Sequence, residues 1–515
     1  MTETTEPGKP EEEKPALPAP VRQAQGSKGE GKDEKKEEKP KPKDNLVETK
    51  HAVTINGREI KYTVITGTMV LKEETPDREK ESEGEKPRAQ IFFVAYTKDD
   101  VGDKAKRPLT FSFNGGPGSS SVWLHLGLLG PRRVVLEDDG SLPKPPFKLT
   151  DSEYSLLAET DLVFIDPMNT GYSRPVEGEK PKEWHGFKKD ITSVGDFIRL
   201  YTTRYNRWLS PKFLIGESYG TTRASGLSGY LQERHGMYLN GIMLISAVLD
   251  FSTIDFTVNN ELPYVMFLPA YAATAWYHHK LKVRKPLQTL LKEVEKFAQG
   301  EYAAALLKGD TLTKRERAQI IEKMSRYTGL SLEFIDRSNL RINDQHFFKE
   351  LLRERGLTVG RLDSRFVGRD RLGVTERPEY DPLLTNVMGP HTAAFYDYIR
   401  AELKFESDLP YEILSDKVWP WSYAEFENQF VNVGETLRAA MTYNPYLKVF
   451  VANGYFDLGT PYFATEYTFN HLGLHESARK NVSMGYYEAG HMMYIHLPSL
   501  AELKKDLAEF IQGAM

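Results

Sequence analysis

The chain has 515 residues, of which 40% are hydrophobic and 11% aromatic, and a formal net charge of −5, enough apolar content for one large enzyme domain with insertions or for two to three ordinary domains. So small a charge gives no reason to expect nucleic acid or an anionic membrane as a partner. The absence of cysteine excludes disulfides, a cysteine nucleophile and thiolate metal sites, and no apolar run approaches the ~20 residues of a membrane-spanning helix.

Residues 1 to about 48 are almost wholly Pro, Glu, Lys, Gly and other polar types, as in EGKDEKKEEKPKPKDN. They cannot bury enough apolar surface to offset their ordering entropy, which predicts a disordered tail. The stretch carries no apolar run of the kind a secretory leader uses. Order is expected to begin near Ala52, where AVTINGREIKYTV alternates around Asn56-Gly57, a pair suited to a tight hairpin turn. QIFFVAYT and LTFSF follow as strands, the second running up to Asn114. DLVFIDP, KFLIGES, GIMLIS, KVFVANG and VSMGYYEAG are further short apolar runs. Rich in β-branched and aromatic residues and unbroken by polar alternation, they suit the central strands of a parallel sheet. GFKKDITSVGDFIRLYTTRY, TTRASGLSGYLQERHG and SLAELKKDLAEFIQ read as helices between and after them, so the pattern is that of a doubly wound α/β fold. Residues 263–389 break the rhythm with charged helical stretches such as LQTLLKEVEKFAQG and KRERAQIIEKMSRY and no obvious strand run. They predict a helical cap inserted between core segments 49–262 and 390–515.

Chemistry enters at Gly216-Glu217-Ser218-Tyr219-Gly220, between the KFLI strand and a helix. Gly-x-Ser-x-Gly alone also describes an ordinary turn. Its place between strand and helix selects the nucleophile reading, with the Ser218 hydroxyl projecting above the sheet. A serine nucleophile needs a base, and the base needs an orienting carboxylate. In the α/β-hydrolase fold these follow in the order Ser, acid, His at later strand ends. Asp457 after KVFVANG and His491 after VSMGYYEAG fit that order. Asn114-Gly115-Gly116-Pro117-Gly118-Ser119-Ser120 supplies a loop whose backbone can approach a ligand closely, as an oxyanion hole requires, with Tyr219 as second donor. His125 and His278-His279 lack a third ligand at matching spacing, so neither a metal nor another cofactor is expected. Arg223, on the elbow helix, reads as a structural ion-pair member rather than an anion binder, and the charged face of the cap as solvated.

Taken together and in order, FNGGPGSSSVWLHLGLLGP, IDPMNTGYSRP, IGESYG, NGYFDLGTP and EAGHMMY resemble the serine carboxypeptidase family of α/β-hydrolases, in its bacterial-type members, from about Leu109 to His491. The resemblance implies a catalytic triad of Ser218, Asp457 and His491 and an oxyanion hole from the N–H groups of Gly116 and Tyr219. It also implies that Asn114 and Glu217 hold the carboxylate of a peptide's end. Two carboxyl groups can bind only with a proton between them, so Glu217 must be protonated and acidic conditions favoured. The implied activity is release of C-terminal amino acids from peptides through an acyl-enzyme, in the periplasm or outside the cell, with the cytoplasm as the alternative. Four features depart from the family. Its second glutamate falls on Leu128, a tryptophan on Ser112, the loop cysteine on Ser119, and Gly-His-Tyr on Thr221-Thr222-Arg223. An esterase or acyltransferase with the same triad therefore stays open.

Overall fold

The computed structural model describes residues 42–75, 84–283 and 285–515. Asn56 and Gly57 both take positive φ, 51° and 72°. They close the two-residue turn that an Asn-Gly pair favours, between β1 (Asn45–Ile55) and β2 (Arg58–Thr75). Ile55 stands opposite Arg58. Strand β3 (Gly84–Lys98) continues antiparallel. The chain then builds a parallel sheet from β4 (Leu109–Phe113), β5 (Asp161–Ile165), β6 (Lys212–Glu217), β7 (Gly241–Ile245), β8 (Lys448–Gly454) and β9 (Val482–Tyr487). The order across the sheet is β1-β2-β3-β5-β4-β6-β7-β8-β9, with β3 antiparallel to β5 and all later neighbours parallel.

Successive side chains on these strands go to opposite faces, and each face has its own apolar layer. Phe213, Ile215, Met243 and Ile245 pack with the helices Pro382–Asp397 and Leu497–Gly513 through Leu383, Val387, Phe395, Leu503 and Leu507. Leu214, Ile242, Leu244 and Val451 pack with Phe187–Arg204 and Tyr219–His235 through Val194, Phe197, Leu227 and Leu231. Among the described residues, six further α-helices from Leu262 to Glu350 form a third cluster that includes Phe456, Leu458 and Tyr462. They rest on the segment after β8. Among the described residues no helix is long and apolar enough to cross a membrane.

Two boundaries and one small element differ from the sequence expectation. Strand β1 begins at Asn45, ahead of the expected tail boundary at 48. Only Val53 and Ile55 of its residues are buried, so the strand's first residues are carried by their ladder with β2, and no apolar pattern announces them. Asp44 adds to this by accepting the Val70 N–H at 2.8 Å. The expected limit of the cap, 389, lies inside the helix Pro382–Asp397. That helix belongs by its contacts to the core, where Leu383 and Phe395 meet Val122, Leu124 and Leu126. The insertion also holds a two-residue ladder, Thr358–Val359 against Val367–Gly368, too short to register as an apolar run. The rest of the expected tail, residues 1–41, lies outside the described residues.

Candidate active site

Ser218 alone separates β6 from the helix Tyr219–His235, and it takes φ 59° and ψ −129°. A residue with a Cβ holds such a conformation only at a cost of about 1–3 kcal/mol. The backbone around it enforces the turn. A Cβ on Gly216 would lie 2.1 Å from Gly220 O, and one on Gly115 would lie 2.5 Å from Tyr219 N. The elbow and the loop after β4 therefore interleave backbone against backbone, which is why glycine is needed at both places. Ser218 N–H donates to Ile245 O at 3.0 Å, while its side chain stays only partly buried. Tyr219 opens the helix, so its N–H has no intrahelical acceptor. It sits against Gly115, one residue before Gly116.

Asp457 follows the end of β8 and His491 the end of β9, and both are buried. His491 Nδ1 lies 2.7 Å from Asp457 Oδ2. Asp457 Oδ1 accepts the N–H groups of Gly459 and Thr460 at 2.7 and 3.0 Å, and Thr460 Oγ1 donates to Oδ2 at 2.8 Å. A carboxylate so placed accepts the Nδ1 proton and leaves the Nε2 lone pair outward. Burial pulls the His491 pKa down, but the Asp457 charge and hydrogen bond, joined by Glu217, outweigh it and raise the value. Ser246 Oγ donates to His491 O at 2.7 Å. Because Ser246 follows Ile245, the end of β7 locates the serine and histidine segments relative to each other.

A strap from the insertion, residues 361–365, binds the same two loops. Leu362 O accepts the His491 N–H at 2.6 Å, Arg361 O accepts the Leu458 N–H at 2.9 Å, and Ser364 N–H donates to Phe456 O at 3.0 Å. Asp363 Oδ2 accepts the Gly490 N–H at 3.0 Å and is paired with Arg365 at 2.6 Å. Asp381 Oδ2 in turn accepts the N–H groups of Arg361 and Leu362 at 2.9 and 3.0 Å.

On the other side of the nucleophile, Glu217 is buried and accepts a hydrogen bond from Tyr494 Oη at 2.6 Å. Burial pushes its pKa up to about 7, against the charge of His491 and the Tyr494 hydrogen bond. Asn114 Oδ1 accepts the Leu124 N–H at 3.1 Å. Its Nδ2 lies close to Glu217 and Tyr494, yet is buried with no protein acceptor in hydrogen-bond geometry. Arg223 fixes the Asn114 backbone, donating from Nη1 to its carbonyl at 2.5 Å and from Nε to Asp190 at 2.8 Å. A carboxyl group that keeps its proton through most of the acid range thus stands beside an unpartnered amide donor. That pair is equipped to bind an incoming carboxylate.

The pattern of the family described as serine carboxypeptidase (Peptidase_S10) matches residues 82–495. The chain belongs to the serine carboxypeptidase family. Over 160 residues it is 33% identical to the pheromone-processing carboxypeptidase KEX1 of Saccharomyces cerevisiae, a stretch that is 30% of this chain and 20% of the yeast protein. The match thus spans about a fifth of that relative's length. Among solved structures, the crystal structure of Kex1(delta)p, a prohormone-processing carboxypeptidase from Saccharomyces cerevisiae, is similar with a TM-score of 0.52 at 16% identity. It covers 88% of this chain and 91% of the other. The shared architecture is the α/β-hydrolase fold.

Several positions at which the sequence departs from the resemblance take structural roles. Leu128, on which the resemblance places a second glutamate, is buried in the core. Beside it, a Cβ on Gly127 would lie 2.6 Å from the Tyr494 ring, so glycine makes room for that ring. Ser119 Oγ accepts the Trp123 Nε1 proton at 3.0 Å, and Ser112 Oγ is buried without a partner. Thr222 Oγ1 donates to Val248 O at 2.6 Å, and Arg223 is a structural ion-pair member. His125 and His278 serve internal bonds: His125 Nε2 meets Tyr96 Oη and His278 Nε2 meets Ser364 O, both at 2.6 Å. Among the described residues no group of His, Asp or Glu is arranged to hold a metal ion. Tyr494, Thr460 and Asp363 join the site without being singled out by the sequence. Thr460 and Tyr494 do lie inside the NGYFDLGTP and EAGHMMY motifs. Asp363 lies in a stretch with no distinguishing pattern.

Proposed function

We propose that the protein is a serine carboxypeptidase with Ser218, Asp457 and His491 as triad, acting on peptides one C-terminal residue at a time. The observation that carries this reading is the buried Glu217–Asn114 pair immediately beside the strained Ser218. A terminal carboxylate held there leaves only the last peptide bond within reach of Oγ. Asn114 Nδ2 and a protonated Glu217 donate to that carboxylate.

Ser218 Oγ then attacks the carbonyl carbon as His491 Nε2 takes its proton. The N–H groups of Gly116 and Tyr219 receive the charge that develops on oxygen. When the C–N bond breaks, His491 returns the proton to the leaving amine. Water repeats the sequence on the acyl-enzyme, releasing the shortened peptide and restoring Ser218. The helical insertion shapes the side-chain pocket, and the work is done in the periplasm or outside the cell.

One observation favours a second reading, an esterase or acyltransferase with the same triad: the apolar Leu128 where the family pattern has a second carboxyl. The two readings part on peptides. Incubating a mixed peptide pool with the enzyme and following it by mass spectrometry should give ladders shortened from the carboxyl end. Ser218→Ala should lose several orders of magnitude in kcat. Internal cleavage, or products from Ser218→Ala at the wild-type rate, would contradict the proposal.

A further inference from the structure

We infer that Tyr494 is a positioning residue for substrate-carboxylate binding: its hydroxyl occupies one oxygen of Glu217, so that the other presents the proton to the peptide's end. This rests on the reading of Asn114 and Glu217 as the carboxylate site.

Tyr494 is 2% exposed, and its Oη lies 2.6 Å from Glu217 Oε2. Burial and the neighbouring Glu217 charge hold the phenol pKa well above its ordinary range. It therefore keeps its proton and acts as a fixed donor to Oε2. A proton that Glu217 acquires then resides on Oε1, where a ligand carboxylate can accept it. The geometry around the ring sustains this role. Tyr494 belongs to the short turn Met493–Ile495, which Met492 joins to His491, and its ring is pressed against Gly127.

The hydroxyl has a second consequence. A donor to the ionised form favours ionisation, so Tyr494 limits how far burial raises Glu217. The groups acting on Glu217 are His491 and Asp457 from the loops after β9 and β8, Tyr494 from its turn, and Asn114 from the loop after β4. Removing the phenol oxygen alone leaves the other three in place.

The test is kcat/KM against pH for three substrates: a peptide with a free carboxylate, its C-terminal amide, and a simple ester without a carboxylate. Tyr494→Phe should move the alkaline limb of the free-acid profile upward by about one pH unit, the size expected from losing one hydrogen bond to a charged group. At pH 5 it should lower kcat/KM for that peptide roughly 10-fold, chiefly through KM, because the Glu217 proton is no longer directed. The alkaline limb of the ester profile should stay where it was. In a Glu217→Gln background, where nothing titrates at this position, adding Tyr494→Phe should move no limb. An unmoved alkaline limb, or an equal shift with the ester, would overturn the inference and leave the carboxylate reading standing. Equal wild-type rates on acid and amide would remove that reading itself, and the inference with it, before any variant is made.

Discussion

Glu217 and His491 act on one another: each is among the charges that shift the other's pKa. The proposed chemistry needs both groups neutral, with an imidazole base on one side of Ser218 and a protonated donor on the other. Glu217→Gln separates the two effects. Glutamine cannot ionise, so the fall in peptide hydrolysis as Glu217 loses its proton at about pH 7 should disappear. Glutamine also carries no negative charge to raise His491, so the acid limb of ester hydrolysis should move to lower pH. Profiles of kcat/KM for one peptide and one ester decide the matter; an acid limb that stays put or moves upward would show that the coupling does not act. The sequence makes Ser218, Asp457 and His491 legible because each carries a local mark, a glycine-flanked turn or a strand end. Tyr494 lies within EAGHMMY but nothing there marks its role, since its partner Glu217 lies 277 positions away and no short-range pattern encodes that contact.

Among the elements, the strap at residues 361–365 shows how the insertion contributes beyond shaping a pocket. It shares hydrogen bonds with the acid loop and with the histidine loop at once, and Asp363 is its fully buried anchor. Asp363→Ala leaves the Gly490 N–H without its acceptor and Arg365 without its partner. Breaking a buried pair in this way costs roughly 3–5 kcal/mol of stability. If the strap also sets the His491 geometry, kcat for ester and peptide should fall together, about 10- to 100-fold, with KM little changed. Asp363→Asn keeps an acceptor for Gly490 and should recover much of kcat while remaining less stable than wild type. Denaturant melts beside steady-state kinetics on both variants check this, and an Asp363→Ala enzyme with unchanged kcat would reduce the strap to a purely structural element. The central strands were readable because burial on both faces demands unbroken apolar runs. The strap was not, because its work is done by backbone groups and one aspartate in a charged stretch. The first residues of β1 escaped for the same reason.

At the scale of the whole molecule, every proposed catalytic group lies at or just beyond the carboxyl end of a parallel strand: Asn114 after β4, Ser218 after β6, Asp457 after β8 and His491 after β9. Parallel strands bring these ends to one edge of the sheet, so residues from 114 to 491 converge without a local signal linking them. Strand β1 is the outermost strand of that sheet, at the far end of the order from β9, and its effect should be on stability alone. A chain beginning at Thr49 loses the pairing of Asn45–Glu48 with Ile65–Thr68, together with the bonds of Asp44 to Val70 and Arg204. Compared with a chain beginning at Pro42, it should melt a few degrees lower while hydrolysing a small ester at the same rate. Identical melting temperatures would show that this ladder adds nothing.

In the proposed mechanism a buried donor pair next to the nucleophile selects the free end of a peptide. The most direct test is kcat/KM at pH 5.5 for one peptide with a free carboxylate and the same peptide as its C-terminal amide. Losing charge-assisted hydrogen bonds worth about 1.5–3 kcal/mol each predicts that the acid is preferred roughly 100-fold or more. Equal rates on the two would contradict the account and leave a serine hydrolase without carboxypeptidase selectivity.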